Sequence, residues 1–330
     1  MNITDHILVI GLGSIGLRHT RNLMQLGAEC ISVVTSKPDL PEGILVNRRF
    51  ATLAEALSSG EVFSAALVCT PTAMHSENMM VLLDHEVPNI YLEKPVGHDL
   101  AIASKVGRII EQTGTRVLVG YDLHFDPGIA KIRGLLAEGI IGKPLGVNAV
   151  VGQYLPDWRP HEDYRHGMSA SKERGGGVML DLVHEIDYLR WLFGFIAELA
   201  CFYENTESLE IETEDLSHIL CRFNNGVIGT ISLDYLQRKL VRYCRITGSE
   251  GSILWNLAER KLEWTTGKEH QVYRYENFER NDRFIEILRA FLYSVNDERL
   301  TTYSEALHSL AVIQGAKESS EKNKFIKISS

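Results

Sequence analysis

Three groups of residues have the types and spacing that chemistry requires. The first is "GLGSIG", directly after a short apolar run, with Gly11, Gly13 and Gly16 in G-x-G-x-x-G spacing around Ser14 and Ile15. In that pattern the first glycine allows a tight turn, the second lets backbone approach a pyrophosphate, and the third lets helix pack on strand. The next helix would turn its N-terminal N–H groups toward the phosphates. The plainer alternative is a structural strand-to-helix turn. The second group is the lysine of "YLEKPVGHDL", set between Glu93 and Pro95 at a strand end. Ligands of open parallel sheets bind at such ends, and proline restricts the preceding residue to extended geometry, which aims Lys94 at the crevice. Beside an oxidised nicotinamide ring, like charge lowers a lysine pKa, as a general acid/base requires. A solvated cap on the strand is the alternative.

The third group lies in "GGGVMLDLVHEIDYLRWLFG". Read as one helix at about 100° per residue, it puts Leu182, Ile186, Leu189 and Phe193 on a buried arc and Asp181, His184 and Tyr188 on an offered face. Asp181 would orient the ring and His184 would exchange a proton with a substrate hydroxyl; an ordinary polar pair on a helix surface is the alternative. Gly175, Gly176 and Gly177 would let the helix begin close against a ligand or another backbone. A metal is not expected, because no further Cys or His gathers nearby.

About twenty residues past the glycines, where an NAD site usually has an acid for the ribose 2′-hydroxyl, the chain reads Thr35-Ser36-Lys37. Two hydroxyls and a cation suit a 2′-phosphate, which favours NADP over NAD; a solvated loop that contacts nothing is the alternative. Thr70-Pro71-Thr72 stands at another strand end and faces the same crevice.

These residues need a scaffold, and the first 120 residues supply one. Five apolar runs, "HILVIG", "CISVVT", "AALVCT", "NIYLEK" and "RVLVGY", alternate with helical-period segments, the pattern of a parallel sheet covered on both faces. After Tyr121 come a helix at about 127–138, a strand near "GVNAVVGQ", the polar and aromatic loop "YLPDWRPHEDYRHGMSASKERGG" and the Asp181–His184 helix. From about Ala197 to Tyr275 alternating runs with the hairpin signal Asn225-Gly226 predict an open, mainly antiparallel sheet. Two helices, about 279–296 and 303–321, precede a strand-like "KFIKIS". The expected fold is α/β: residues 1–121 form a Rossmann dinucleotide domain, and residues 122–330 an α+β domain for substrate and oligomer contacts, its C-terminal helices packing back on the first.

The 330 residues carry a net charge of −9 with no basic run, which excludes a nucleic-acid or anionic-membrane surface. Five scattered cysteines without a C-x-x-C pair fit a reducing compartment. The stretch "MNITDHILVIGLG" lacks a basic leader, and no apolar run approaches the roughly 18 residues of a bilayer span. A cytoplasmic protein is expected.

With these motifs in family order, the sequence resembles the Gfo/Idh/MocA oxidoreductases, the glucose–fructose oxidoreductase and inositol dehydrogenase type. The resemblance rests on "VIGLGSIGLRH", "FATLAEAL", "CTPTAMHSE", "YLEKPV", "VGYDLHFDPGIAKIRGLLAEGIIGKPLGV" and the glycine-led helix. It implies reversible hydride transfer between NAD(P) and a hydroxyl-bearing carbon of a sugar, sugar acid, cyclitol or nucleotide-linked sugar. It also implies a homo-oligomer, dimer or tetramer, formed through the second sheet. The family's lysine falls on Lys94 and its helix Asp and His on Asp181 and His184; its T-P-x-x-x-H element falls on Thr70, Pro71 and His75, which with Glu93 would line the cofactor cleft. Members usually separate that Asp and His by one residue more, which makes the place of Asp181 less secure. They often carry Asn and Arg where this chain has Asp122 and His124, so the pocket around Tyr121 and His124 should be altered. Tyr154, Trp158, Arg159, Tyr164 and Arg165 combine aromatic faces and guanidinium forks suited to sugar rings and to carboxylate or phosphate; pinning the loop to the sheet is their alternative role. The helix sequence is similar to relatives among bacterial surface-polysaccharide enzymes. Two other classes compete: a glycosidase that oxidises its substrate transiently with retained NAD, and a non-catalytic protein that senses NAD(P) or a sugar.

Overall fold

The computed structural model describes residues 5–294 and 296–328. Outside this set lie the first residues of "MNITDHILVIGLG", one residue of the helix expected at about 279–296, and the last of "KFIKIS". The chain forms two compact units. One holds the chain up to Asp122 together with Arg280–Leu307; the other holds Leu123–Glu279 and the chain from His308 onward.

The first unit is built on β1 (Ile7–Ile10), β2 (Ile31–Val34), β3 (Arg48–Phe50), β4 (Ala65–Val68), β5 (Asn89–Leu92) and β6 (Arg116–Val119), with Thr301–Thr302 pairing antiparallel on β6. The parallel order is 3-2-1-4-5-6, that of a doubly wound dinucleotide-binding sheet. β1, β2 and β4 are buried at every position, which is why the sequence reads as continuous apolar runs and not as alternation. The crossovers are α1 (Ser14–Gln25), α2 (Leu53–Leu57), α3 (His75–Asp84) and α4 (Leu100–Thr113). β3 was not legible, since only one of its three residues is apolar and its two arginines are exposed.

The second unit contains β7 (Pro144–Gly152), β8 (Ile196–Glu204), β9 (Leu216–Phe223), β10 (Ile228–Asp234), β11 (Val241–Gly248), β12 (Gly251–Asn256), β13 (Lys261–Thr266) and β14 (His270–Arg274). Their order is 14-13-12-11-7-10-9-8, completed by Ile326–Lys327 on β8. The pairs are antiparallel except β10 with β7. β9 alternates buried Ile219, Cys221 and Phe223 with exposed His218, Leu220 and Arg222, and turns into β10 at Asn225-Gly226, where Gly226 has φ +91°. On the other face Phe202 is 74 % exposed. Helix α5 (Pro127–Ala137) starts on Pro127 with the Asp126 side chain accepting from Gly128 N–H, and packs on β12.

The glycine-led segment departs from expectation. It is two helices, α6 (Val178–Asp181) and α7 (His184–Phe193), separated at Leu182 and Val183. The face expected to be offered is also only partly open: Tyr188 is fully buried with its ring edge-on to Trp255 at 5.9 Å and Asp181 is buried, while His184 is half-buried. Both corrections have one cause. The segment packs α6 on β9 and β10 and α7 on β7, so it is enclosed nearly all round and its hydrophobic period cannot reveal a break. No helix among the described residues is long and apolar enough to cross a membrane.

Candidate active site

At the end of β1 the chain turns on Gly11, whose φ of +91° admits few other residues; a β-carbon there would lie 2.9 Å from the Cys69 carbonyl oxygen. A β-carbon on Gly16 would collide with the Gly11 carbonyl, so this position holds helix against turn. At Gly13 it would meet nothing, leaving the backbone open to a ligand. Helix α1 starts from Gly13 with no side-chain cap and no acid in its first turn. Its first N–H groups and positive end therefore suit a pyrophosphate. Ser14 is exposed and Ile15 half-buried beside it. These residues fit the dinucleotide that the sequence implies.

Past β2, Thr35 is buried and its hydroxyl accepts from Lys37 N–H at 3.2 Å, while Ser36 and Lys37 are exposed. Arg49, in the unexpected strand β3, donates to the Lys37 carbonyl at 2.9 Å and adds a second cation to this loop. After β4, Thr70 Oγ1 accepts from Asn78 at 2.9 Å, Pro71 precedes a short 3₁₀ turn, and Thr72 is buried. His75 opens α3 with its ring enclosed: Nδ1 lies 2.7 Å from the Pro95 carbonyl oxygen and Nε2 3.0 Å from that of Thr70. Burial drives its pKa below the ordinary value, against the raising effect of these carbonyls and Glu93 and with a smaller lowering effect from Lys94. Lys94 is half-buried at the end of β5, and the Lys94–Pro95 peptide is cis. Glu93 is buried with Oε1 2.6 Å from His19 Nε2 and 3.5 Å from the Tyr91 hydroxyl, which donates to it.

In the second unit His184 is half-buried at the start of α7. Asp181 is 7 % exposed and accepts from the Tyr235 hydroxyl at 2.6 Å. Burial, helped by the Asp181 charge, keeps that phenol protonated far above the usual range. Trp158 lies edge-on to Tyr235 at 5.3 Å and donates from Nε1 to the Gln153 carbonyl, and Arg238 stacks on Tyr154 at 3.7 Å. Trp158 is thus tied to the Tyr235–Asp181 pair, while Tyr154 is covered by Arg238. Arg159 pairs with Glu162 at 3.6 Å, while Arg165 grips Asp163 at 2.7 Å and Glu210 at 3.2 Å. The Arg165 bonds hold the Asp163 carboxyl down at about 2, and the Tyr164 hydroxyl accepts from Glu210 N–H. An open groove of about 730 Å³ is lined by Arg165, His166, Arg174, Asn205, Glu210 and Glu212 and contains none of Lys94, Asp181 or His184. The glycines before α6 serve backbone and side chain: Gly177, at φ +121°, would put a β-carbon 2.5 Å from Glu214 Oε1, and Gly176 abuts the Met168 carbonyl.

Tyr121 and His124, expected at the substrate, are both buried. Tyr121 is 1 % exposed, and His124 Nε2 lies 2.7 Å from Asp187 Oδ2 with its ring stacked on Trp191 at 4.3 Å. Their enclosure follows from packing partners remote in sequence. His19, Arg49, Tyr235 and Arg238 were not singled out from the sequence. His19 alone had a local signal, one turn past Gly16 on the strand-facing side of α1.

The sheet order and the glycine loop at an uncapped helix define a dinucleotide-binding first unit, followed by a second unit built on an open sheet. The chain belongs to the Gfo/Idh/MocA family: residues 6–121 match its oxidoreductase NAD-binding Rossmann fold and residues 129–254 its C-terminal domain. It is 31 % identical over 193 residues to myo-inositol dehydrogenase Hyg17 of Streptomyces leeuwenhoekii, a match spanning 57 % of this chain and 55 % of that protein. It is 26 % identical to the myo-inositol 2-dehydrogenase of Thermotoga maritima over 97 % of both. The fold superposes with TM-score 0.84 on an Agrobacterium radiobacter oxidoreductase crystallised with NAD+, L-tartaric acid and magnesium, 19 % identical over 98 % of each chain.

Proposed function

We propose that this chain is an NAD(P)-dependent dehydrogenase or reductase acting on a hydroxyl-bearing carbon of a sugar, sugar acid, cyclitol or nucleotide-linked sugar. The first unit carries the nucleotide, and Lys94 exchanges the hydroxyl proton. His184 serves substrate binding and proton exchange, with Asp181, anchored by Tyr235, shaping its surroundings. The bound nicotinamide supplies or accepts the hydride. The observation that carries this reading is Lys94, kept half-buried at a parallel-strand end in the same sheet as the open, uncapped glycine loop. The full-length likeness to a protein named myo-inositol 2-dehydrogenase supports the polyol substrate class. Lys37 and Arg49, with no carboxylate among Thr35, Ser36 and Lys37, support NADP as the preferred cofactor.

The test is a fluorescence titration with NADPH and NADH followed by a polyol and sugar screen on wild type, Lys94→Ala and Lys37→Glu. Lys94→Ala should lower turnover by about 10²- to 10⁴-fold, the worth of a positioned acid/base, while binding nucleotide normally. Turnover at the wild-type rate would remove Lys94 from the mechanism. Lys37→Glu should weaken NADPH by about tenfold relative to NADH, the loss of one charge-assisted contact; an unchanged ratio sinks the NADP preference. Substrate consumption without any change in reduced-nicotinamide absorbance would replace net oxidation by transient internal oxidation.

A further inference from the structure

We propose that His19 and His75 are positioning residues that grip the Glu93–Lys94–Pro95 turn from opposite faces of the first sheet and so fix where Lys94 projects, without touching the nucleotide. The inference rests on the reading of Lys94 given above. In the order 3-2-1-4-5-6 the step from β1 to β2 and the step from β4 to β5 run in opposite directions. Right-handed crossovers therefore put α1 and α3 on opposite faces. His19 comes from α1 and His75 from the start of α3, and both reach the end of β5.

On the α3 side the ring of His75 has both nitrogens turned to main-chain carbonyls, Pro95 at 2.7 Å and Thr70 at 3.0 Å. No polar edge of the ring is left for a ribose or a phosphate. A carbonyl only accepts, and a neutral imidazole has one N–H, so the neutral ring donates to one of the two, and the contact with Pro95 is the shorter. Glu93 and Lys94 are the charges that face this ring. Through it the loop after β4 is tied to the residue immediately past Lys94. On the α1 side His19 Nε2 meets Glu93 Oε1 at 2.6 Å, with the two side chains 0 % and 8 % exposed. Tyr91 adds its hydroxyl to the same oxygen, and the rings of Tyr91 and Phe284 stand edge-on to His19 at 5.2 and 6.0 Å. The residues before and after Lys94 are therefore each held by a histidine, and a lysine on a four-carbon stem gains its aim from a fixed backbone.

The experiment reads Lys94 directly. Lysines are reductively methylated with ¹³C, the Lys94 resonance is assigned by its loss in Lys94→Arg, and NADH affinity and turnover are measured on unmethylated protein. His75→Leu should move that resonance to the position of exposed lysines and lower kcat by about ten- to a hundredfold, the cost of misplacing a catalytic group, with NADH Kd within about twofold. His75→Asn, whose amide nitrogen takes the place of Nδ1, should restore most of both; His75→Gln should not. His19→Leu and His19→Gln form the matching pair for Nε2, and decide the question where a His75 variant does not fold. A rise in NADH Kd with an unmoved lysine resonance would make these residues nucleotide contacts and overturn the proposal. So would a lower melting temperature with resonance and kcat unchanged. If Lys94→Ala turns over normally, the catalytic reading fails, while the resonances still judge the grip.

Discussion

His124 shows how a residue that departs from a family's habit takes a partner of its own. Its ring and the Asp187 carboxylate are each 1 % exposed and 2.7 Å apart; Arg190 reaches the other Asp187 oxygen at 3.3 Å, and Trp191 is sandwiched between His124 and Arg133. A group so enclosed acts on stability, because removing one partner leaves the other buried with its desolvation uncompensated. His124→Leu should therefore lower the unfolding free energy by about 1–3 kcal/mol and leave KM for the polyol within about twofold. Urea unfolding and steady-state kinetics on the same preparation decide it: a raised KM with unchanged stability would return His124 to the substrate. The motif "YDLHF" was legible as unusual, but Asp187 lies 63 positions further on, and no local pattern names a partner at that distance. The glycine loop was legible because its residue choice answers to backbone geometry alone, the positive φ at Gly11 and the close approach at Gly16.

At the scale of elements, the apolar parallel strands and the Asn225-Gly226 hairpin could be read from composition and turn chemistry. The α6–α7 break and the two-residue strand at Thr301–Thr302 could not, since one is enclosed on nearly all sides and the other is shorter than any period. One join between elements also sets an acid limit. His308, in the C-terminal helix Tyr303–Lys322, accepts from the Ile196 N–H that opens β8, at 3.0 Å. Nε2 must carry a lone pair to do so. Burial, with the Arg190 charge adding to it, pushes the pKa of His308 down to about 4. A histidine depressed in the folded state binds its proton more readily when unfolded, so its contribution is intact above about pH 6.5 and is lost as pH falls from there toward about 4. At pH 5 that loss amounts to about 2 kcal/mol. His308→Gln, which keeps an acceptor near Nε2 without titrating, should flatten the decline in unfolding free energy between pH 7 and pH 5; an equally steep decline in the variant would place the acid sensitivity elsewhere.

For the whole molecule, the decisive fact is that the first unit is not one stretch of chain. Arg280–Leu307 completes it. Arg283 Nε lies 2.9 Å from Asp122 Oδ2 with both side chains nearly sealed, and the Phe291 ring packs on Tyr91 at 5.6 Å. Arg116 donates to the carbonyls of Phe291 and Ser294, Tyr303 donates to Ala103, and Thr301–Thr302 covers the edge of β6. A fragment ending at residue 122 would lose the Arg283–Asp122 pair, uncover the β6 edge and expose the Tyr91 ring that Phe291 covers. Leaving one large aromatic side chain in water costs about 1.5–3 kcal/mol, a large share of the stability of an ordinary domain. Residues 1–122 alone should therefore unfold in urea without a cooperative transition and bind NADPH and NADH weakly. Joining residues 280–307 to residue 122 through a flexible glycine–serine linker should restore both the transition and nucleotide binding. Should the shorter fragment unfold cooperatively at the same midpoint as the joined one, the returning segment contributes nothing to the first unit's stability, and the nucleotide-binding half folds from its own sequence.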